Sequence, residues 1–179
     1  MIITICGDLG SGKSTVAKIL SSKLNFKRKS VGDLMGELAL KRGVSLMELS
    51  KIAQEDGGVI DKILDDEQKK LDKSSENLIF DSRLGWYFIP HSFKIYLKVD
   101  INVAAKRIFN DKRADEKENT SVEETKRNMI LRKLSEMQRY EKYYGIKKYD
   151  DEKNFDIVVD TTNISAEEVA EKIIEKIKN

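Results

Sequence analysis

The chain has 179 residues, of which 40% are hydrophobic and 36% charged, and this composition excludes collagen-like, low-complexity and fully disordered proteins. Thirty-three basic and 31 acidic residues leave a net charge of +2 with no long basic run, so charge gives no argument for binding nucleic acid or a membrane surface. One cysteine cannot form an internal disulfide, and a single histidine excludes a Cys/His zinc cluster.

Nothing in the sequence predicts a membrane protein. No apolar run approaches the roughly 18 to 20 residues that a membrane-spanning helix needs. The first residues, MIITICG, lack the basic start and long apolar stretch of a signal peptide. We therefore expect a single cytoplasmic domain that is monomeric and has neither a nucleic acid nor a membrane as its partner.

Short apolar runs alternate with longer helical stretches along the chain. The predicted strands cover 1–6, 26–31, 77–81, 93–99 and 156–160. A predicted helix follows the first strand and ends near residue 24, and others cover 33–41, 45–55, 60–71, 102–112, 121–144 and the end of the chain from 165. Strands that enter helices through short turns are typical of an α/β fold with a mostly parallel sheet covered on both faces.

Two segments interrupt this alternation and are candidates for elements that close over a ligand. One is the group of three helices between the second and third strands, and the other is the charged stretch 107–144. Such insertions usually follow the carboxyl ends of parallel strands, where ligands bind. Pairs of Ser and Glu three residues apart predict capped helix starts at Ser45, Ser121 and Ser165.

The clearest motif is GDLGSGKS at residues 7–14, which matches the pattern G-x-x-x-x-G-K-[ST]. Its glycines let the backbone fold around a phosphate, and the following helix directs its positive end at the same point. Lys13 can reach the β- and γ-phosphates of a nucleotide, and the Ser14 hydroxyl can ligate Mg²⁺. The candidate ATP-binding residues in this segment are Gly7, Asp8, Leu9, Gly10, Ser11, Gly12, Lys13, Ser14 and Thr15.

Asp81 ends the third predicted strand, NLIFD, at the place where a protein with this loop carries an acid that positions Mg²⁺. The alternative is an Asp that only caps a turn. Ser82 rather than Glu follows it, so the carboxylate pair typical of water-activating motor ATPases is absent from the sequence. There is also no N-K-x-D motif, which argues against a guanine-specific GTPase. We take Ser14 and Asp81 as the candidate metal ligands.

A second group of basic residues suggests a site for an acceptor phosphate. Arg83 follows the strand that ends at Asp81, and a guanidinium there can bind two phosphate oxygens at once. Arg132, Glu136 and Arg139 have the spacing of one helix face, which suits two phosphate-binding cations with a carboxylate for a sugar hydroxyl. The alternative is an Arg–Glu pair that stabilises its own helix by only about 0.3 kcal/mol.

Taken together, these residues resemble the nucleoside monophosphate kinases, and specifically the compact archaeal-type cytidylate kinase family. The resemblance spans nearly the whole chain in the right order. It rests on the stretches GDLGSGKSTVAKILSSKL, SVGDL, IFDSRLGW, R-x-x-x-E-x-x-R-Y, YGI and DIVVDTTNIS.

The resemblance implies a three-layer P-loop fold with a five-stranded parallel sheet, a helical NMP-binding insertion (32–76) and a short lid with an arginine helix (108–144) on a core of 1–31, 77–107 and 145–179. It also implies transfer of the ATP γ-phosphate to CMP or dCMP, with Mg²⁺ as cofactor. The implied catalytic residues are Lys13, Arg83, Arg132 and Arg139, and Arg107 joins the ATP-binding set. The implied acceptor-binding residues are Ser30, Asp33, Asp61, Asp65, Ser82, Arg83, Arg132, Glu136 and Arg139, and Gln68 lies in the same insertion.

The sequence departs from the family pattern at two positions and leaves other functions open. Gly36 and Asp111 stand where related kinases usually carry arginines, with Lys112 and Arg113 just beyond the second position. Adenylate kinase activity differs from the proposed one only in base recognition. A kinase for a hydroxyl acceptor would need a carboxylate base, for which Asp33 is the candidate, and a non-catalytic ATP-binding module would need no second phosphate site.

Overall fold

The structure, a computed structural model, describes residues 1–44, 46–111 and 120–178, and its elements follow the predicted alternation. The strands are β1 (Ile2–Gly7), β2 (Lys27–Ser30), β3 (Leu78–Asp81), β4 (Phe93–Lys98) and β5 (Ile157–Asp160). The helices are α1 (Lys13–Leu24), α2 (Val31–Arg42), α3 (Leu46–Glu55), α4 (Val59–Leu71), α5 (Gly85–Phe88), α6 (Ile101–Asp111), α7 (Val122–Tyr144) and α8 (Ala166–Lys178), with a short 3-10 turn at Glu152–Asn154.

All five strands are parallel and lie in the order β2-β3-β1-β4-β5. From β1 the chain crosses to β2 and β3 on one side, and it then returns to β4 and β5 on the other. The loop after β1 therefore lies at the point where the strand order reverses, and in open parallel sheets ligands bind there. The register brings Asp81, at the end of β3, beside Ile5 near the end of β1.

Two apolar clusters cover the two faces of the sheet and make the fold three-layered. Neighbouring residues on one strand face opposite sides, so Ile2 packs into one cluster and Ile3 into the other. The first cluster joins the sheet to α2, α3, α4, α5 and α7, and the second joins it to α1 and α8. Hence the three-helix insertion packs directly on one face of the sheet, next to the carboxyl ends of β1 and β3.

Helix caps account for several element boundaries. The Ser121 hydroxyl accepts from the Glu124 N–H at 3.1 Å, and Ser165 exchanges hydrogen bonds with Glu168, so these two capped starts are confirmed. Ser45 lies outside the described residues. Ser30 caps α2 through the Asp33 N–H, and α2 therefore begins at Val31, two residues before the predicted start.

The short helix α5 was not predicted, because four residues carry no helical periodicity. Its residues, GWYF, place Phe88 in the cluster that also holds Tyr140 of α7. None of the helices in the described ranges is long and apolar enough to cross a membrane.

Candidate active site

The loop between β1 and α1 has a backbone that only glycine accommodates at its key points. Gly7 has φ +150°, and a Cβ there would lie 2.3 Å from the Leu97 carbonyl oxygen, so the loop sits directly against β4. Gly10 has φ +73°, and its Cβ would lie 2.9 Å from that of Ala104. Gly12, also at positive φ, ends the loop without a side-chain cap, which leaves the first N–H groups of α1 available to an anion.

Lys13 folds back across the mouth of this loop. Its Nζ donates to the carbonyl oxygens of Gly7, at 3.0 Å, and Asp8, at 2.8 Å. The Arg83 guanidinium donates to the same Gly7 oxygen at 3.0 Å, so two cations converge on one backbone acceptor. Burial, together with the nearby charge of Arg83, lowers the pKa of Lys13 from 10.5 to about 8. The loop therefore presents a concentrated positive charge for which a phosphate group is the natural counter-ion.

Ser14 and Asp81 meet at the edge of the same mouth. The Ser14 hydroxyl donates to an Asp81 carboxylate oxygen at 2.8 Å, across 67 residues of sequence. Hydroxyl and carboxylate oxygens are ligands that Mg²⁺ prefers, and this ion usually takes only one or two protein ligands beside substrate phosphates and water. The described residues contain no cluster of three or more His, Cys, Asp or Glu that could hold a metal ion on its own. The pair fits a nucleotide-bound Mg²⁺.

Arg83 is fixed by Glu136 on the long helix α7. Its Nε donates to Glu136 Oε1 at 2.8 Å, and Arg132 Nε donates to the same oxygen at 3.3 Å. Burial opposes the charge on Arg83, but the combined interactions with Glu136, Tyr149 and Tyr140 outweigh burial and raise the pKa of Arg83 above its ordinary value. The side chains of Arg83 and Glu136 are only 16% and 9% exposed. One carboxylate thus holds guanidinium groups from two different elements.

The loop, the metal pair and the arginines border one pocket with a volume of about 410 Å³. This volume suits a small polar metabolite. Lys13, Ser14 and Asp81 line one part of it, while residues of α2, α4, α5 and α7 line the rest. Its lining residues are Lys13, Ser14, Ser30, Val31, Gly32, Asp61, Leu64, Asp65, Gln68, Asp81, Ser82, Arg83, Leu84, Phe88, Arg132, Glu136, Arg139, Tyr140 and Tyr144.

The part of the pocket formed by α4 holds two hydrogen-bonded pairs. The Tyr144 hydroxyl donates to an Asp65 carboxylate oxygen at 2.6 Å. Burial raises the pKa of Asp65, and Asp61 nearby raises it further. Ser82 donates to the Gln68 side-chain oxygen at 2.8 Å, and both residues are buried. These pairs place a carboxylate and an amide group at the wall of the pocket, where they could form hydrogen bonds with a ligand.

Comparison with known proteins shows the family to which the chain belongs. The AAA domain model matches residues 3–129. The chain is 40% identical to the cytidylate kinase of Sulfolobus acidocaldarius over 176 residues, covering 97% of this chain and 92% of the relative. The chain belongs to the cytidylate kinase family. A second family member, from Sulfurisphaera tokodaii, is 38% identical over 181 residues and is covered to 96% of its length.

The same fold also occurs in proteins outside this family. The shikimate kinase of Bacteroides thetaiotaomicron superposes with a TM-score of 0.71 over 100% of this chain and 99% of that chain, at 14% identity. At this identity the likeness shows the P-loop kinase fold alone. It confirms the predicted α/β class and the five-stranded parallel sheet.

Some of the residues that the sequence predicts for the site of this cytidylate kinase family member do not border the pocket. Asp33 is not among the lining residues, because its carboxylate turns toward Arg28, at 3.5 Å. Arg107 lies beside the loop and donates to the Thr161 carbonyl oxygen at 2.7 Å and to the Gly10 carbonyl oxygen at 3.5 Å. Arg113, with Lys112, lies outside the described residues.

The sequence analysis missed two tyrosines that line the pocket, and it did not predict the hydrogen bond between Ser82 and Gln68. Tyr140 and Tyr144 line the pocket, and neither was among the predicted site residues. They follow Glu136 at intervals of four residues, so the helical spacing that joined Arg132 to Glu136 could have found them. The link between Ser82 and Gln68 joins two elements and left no local pattern in the sequence.

Proposed function

We propose that this chain transfers the γ-phosphoryl group of ATP to the phosphate of CMP or dCMP, giving ADP and the corresponding cytidine diphosphate. One observation carries the proposal, namely that phosphate-binding groups from two separate parts of the chain line a single pocket. The phosphate-binding groups are Lys13, Arg83, Arg132 and Arg139, and the proposed metal ligands Ser14 and Asp81 line the same pocket. Relatives named cytidylate kinase, covered over nearly their full length, support the choice of cytidine nucleotides.

The donor side is the loop 7–15 with Lys13. Its open N–H groups and the Lys13 ammonium would bind the β- and γ-phosphates, and Arg107 lies close enough to Gly10 to contribute from the side. Ser14 and Asp81 would hold Mg²⁺, which draws negative charge from the phosphates when bound. Leu9 packs into an apolar cluster with α6, and we assign it to holding the loop.

The acceptor side is the arginine cluster. Arg83, Arg132 and Arg139 would bind the acceptor phosphate and place one of its oxygens in line with the γ-phosphorus. That oxygen bonds to phosphorus as the bond to the β-phosphate oxygen breaks, and ADP leaves with the electron pair. The acceptor phosphate is already largely ionised at neutral pH, its second pKa being about 6, so no general base is required. The cations stabilise the negative charge on the phosphoryl group as it is transferred.

Glu136 supports a sugar-bearing acceptor. Its Oε1 accepts from two arginines, whereas its Oε2 is buried and has no hydrogen-bond partner among the described residues. A buried carboxylate oxygen without a donor costs free energy, about 1 to 3 kcal/mol or more for a charged group. A ribose hydroxyl would satisfy it, as predicted from the spacing of this residue between the arginines.

The pairs on α4 support recognition of a cytosine base. Cytosine presents an amine where uracil has a carbonyl, and an amine needs an acceptor such as Asp65 or Asp61. Gln68, whose oxygen already accepts from Ser82, has N–H donors for the carbonyl of the base. Tyr144 fixes the Asp65 carboxylate at 2.6 Å and gives the wall an aromatic surface. Ser30, which lines the pocket as the cap of α2, completes the proposed acceptor set.

The structure disfavours the hydroxyl-kinase alternative for one specific reason. A hydroxyl acceptor needs a base in the pocket, and the predicted base, Asp33, is paired with Arg28 outside the pocket lining. The cluster around Arg83 likewise argues against a module that only binds ATP, since such a module needs no second phosphate site. The cytoplasmic location and the monomeric state remain predictions from the sequence.

A panel of acceptors tests the proposal. ADP release is measured with ATP and Mg²⁺ against CMP, dCMP, UMP, AMP and shikimate, with Lys13→Met as the inactive control. We expect kcat/KM to be highest for CMP or dCMP, with no turnover of shikimate. Asp33→Asn is expected to retain most of the activity, because a nucleotide acceptor needs no base. A preference for a hydroxyl acceptor, together with loss of that activity in Asp33→Asn, would contradict the proposal.

A further inference from the structure

Asp8, the first variable residue of the phosphate-binding loop, faces the sheet and α7. Its backbone N–H donates to the Leu97 carbonyl oxygen at 2.9 Å, so this N–H is already used within the fold. Its carboxylate accepts from the Tyr96 hydroxyl at 2.9 Å and from the Val99 N–H at 3.2 Å. The side chain that was predicted to bind ATP is thus directed at the end of β4.

Lys133 brings a third contact to the same carboxylate. Its Nζ lies 3.6 Å from Asp8 Oδ1 and 2.8 Å from Asp150 Oδ2. Lys133 follows Arg132 directly on α7, so one helix carries Arg132 and Arg139 and, on an adjacent side, a contact to the donor loop. Asp8 and Asp150 are 24% and 19% exposed, and this partial burial limits screening of their charges by solvent.

The carboxylate of Asp8 would oppose phosphate binding if its charge were not balanced. The Asp8 carbonyl oxygen accepts from the Lys13 Nζ at 2.8 Å, which puts this residue next to the cation that meets the phosphates. An anion so close to a triphosphate repels it, and a cation paired with that anion cancels the repulsion. Lys133 is the ammonium group that contacts the Asp8 carboxylate from α7.

Building on the proposed function, we propose that Asp8 and Lys133 form a positioning pair for the proposed phosphoryl transfer: Asp8 anchors the donor loop to β4, and Lys133 neutralises its charge and ties the loop to α7. Neither residue contacts a reacting atom in this proposal. The pair affects ATP binding through the loop. Arg83 and Arg132 on the acceptor side are held in place by Glu136 and not by the Asp8–Lys133 pair. Loss of the lysine should therefore weaken ATP binding selectively.

The test is a double-mutant cycle with Lys133→Met, Asp8→Asn and the double variant, read as KM for ATP, KM for CMP and kcat. In Lys133→Met we expect KM for ATP to rise about fivefold, the upper range for a partly exposed ion pair, with less than twofold change in KM for CMP. Lys133→Arg should restore the wild-type value. In the Asp8→Asn background, Lys133→Met should raise KM for ATP by less than twofold, because the loop carboxylate that Lys133 neutralises is gone and its other partner, Asp150, lies outside the loop.

Two further variants test whether the effect is specific to the Asp8–Lys133 pair. Lys126→Met removes the same charge from the same helix, but its partner is Asn102 of α6, so KM for ATP should not change. Tyr96→Phe deletes only the hydroxyl that donates to Asp8, and it should raise KM for ATP severalfold. Equal increases in both KM values, an unchanged KM for ATP in Lys133→Met or in Tyr96→Phe, or the same cost of Lys133→Met in both backgrounds would overturn the proposal.

Discussion

The lowered pKa of Lys13 predicts a loss of ATP binding in alkaline solution. Burial and the charge of Arg83 bring the pKa of Lys13 in the free protein from 10.5 to about 8. A lysine with this pKa is about 90% charged at pH 7 and about 10% charged at pH 9. If only the ammonium form binds the phosphates, kcat/KM for ATP should fall about tenfold between these two pH values. The sign follows because the proton is lost as pH rises and the neutral amine cannot pair with an anion.

Steady-state kinetics at saturating CMP between pH 7 and pH 10 provide the assay, since kcat/KM for ATP reports groups of the enzyme before ATP binds and kcat reports those of the ternary complex. This window lies above the second pKa of the nucleotide phosphates, about 6, so the charge of the phosphates stays constant while Lys13 titrates. Bound phosphates favour the charged lysine, and kcat should therefore stay constant to a higher pH than kcat/KM. The separation of the two profiles is the specific result that the structure predicts.

Two variants distinguish this explanation from others. Lys13→Arg keeps its charge throughout the range and should give a flat, though lower, profile, because a guanidinium does not reproduce the two hydrogen bonds of the ammonium. Arg83→Met removes the nearby charge that disfavours the Lys13 ammonium, so the break in the profile should move to higher pH. A wild-type profile that stays flat to pH 9.5, or an equal break in Lys13→Arg, would refute the reasoning.

Three other predictions follow from contacts in the structure. Gly7→Ala places a Cβ 2.3 Å from the Leu97 carbonyl oxygen and should lower the free energy of unfolding by about 2 to 4 kcal/mol in urea titrations, whereas Gly36→Ala, with open space at its Cβ, should not lower it. Glu136→Gln removes a charge that binds two guanidinium groups, and kcat/KM for CMP should fall roughly 100-fold, as expected for a hydrogen bond worth about 2 to 3 kcal/mol. Asp65→Asn should reduce the preference for CMP over UMP by about tenfold in competition assays, and an unchanged ratio would remove Asp65 from base recognition.

The sheet was predictable because its strands are short apolar runs with buried side chains. β1, β3 and β4 are flanked by the turn residues and helices that the alternation requires, and their predicted and observed bounds agree within about one residue. β2, with the sequence KRKS, is a weak strand by composition, and it forms because its backbone pairs with β3 over four residues. In this case the strand is fixed by a neighbour 50 residues away rather than by its own side chains.

In the site, too, features that depend on local sequence patterns were predictable, whereas contacts between residues far apart in the sequence were not. The loop motif, Asp81 and the arginine spacing on α7 are local patterns, and each led to a residue that borders the pocket. The contact of Asp65 with Tyr144 spans 79 residues and that of Asp8 with Lys133 spans 125, so neither has a periodicity to reveal it. Asp33 shows the opposite case, in which a position near the right strand end carries a side chain that turns away toward Arg28.

Helix α7 connects these observations because three of its side chains serve three different parts of the molecule. Glu136 directs its carboxylate at Arg83, Tyr140 packs against the sheet, and Lys133 reaches the donor loop. A rotation of this helix would move Arg132, Arg139 and Lys133 together, because all three are spaced along one helical backbone. Alignment of the two phosphates to within a fraction of an ångström is what phosphoryl transfer demands, and a single helix that contacts both sides is a direct way to maintain it.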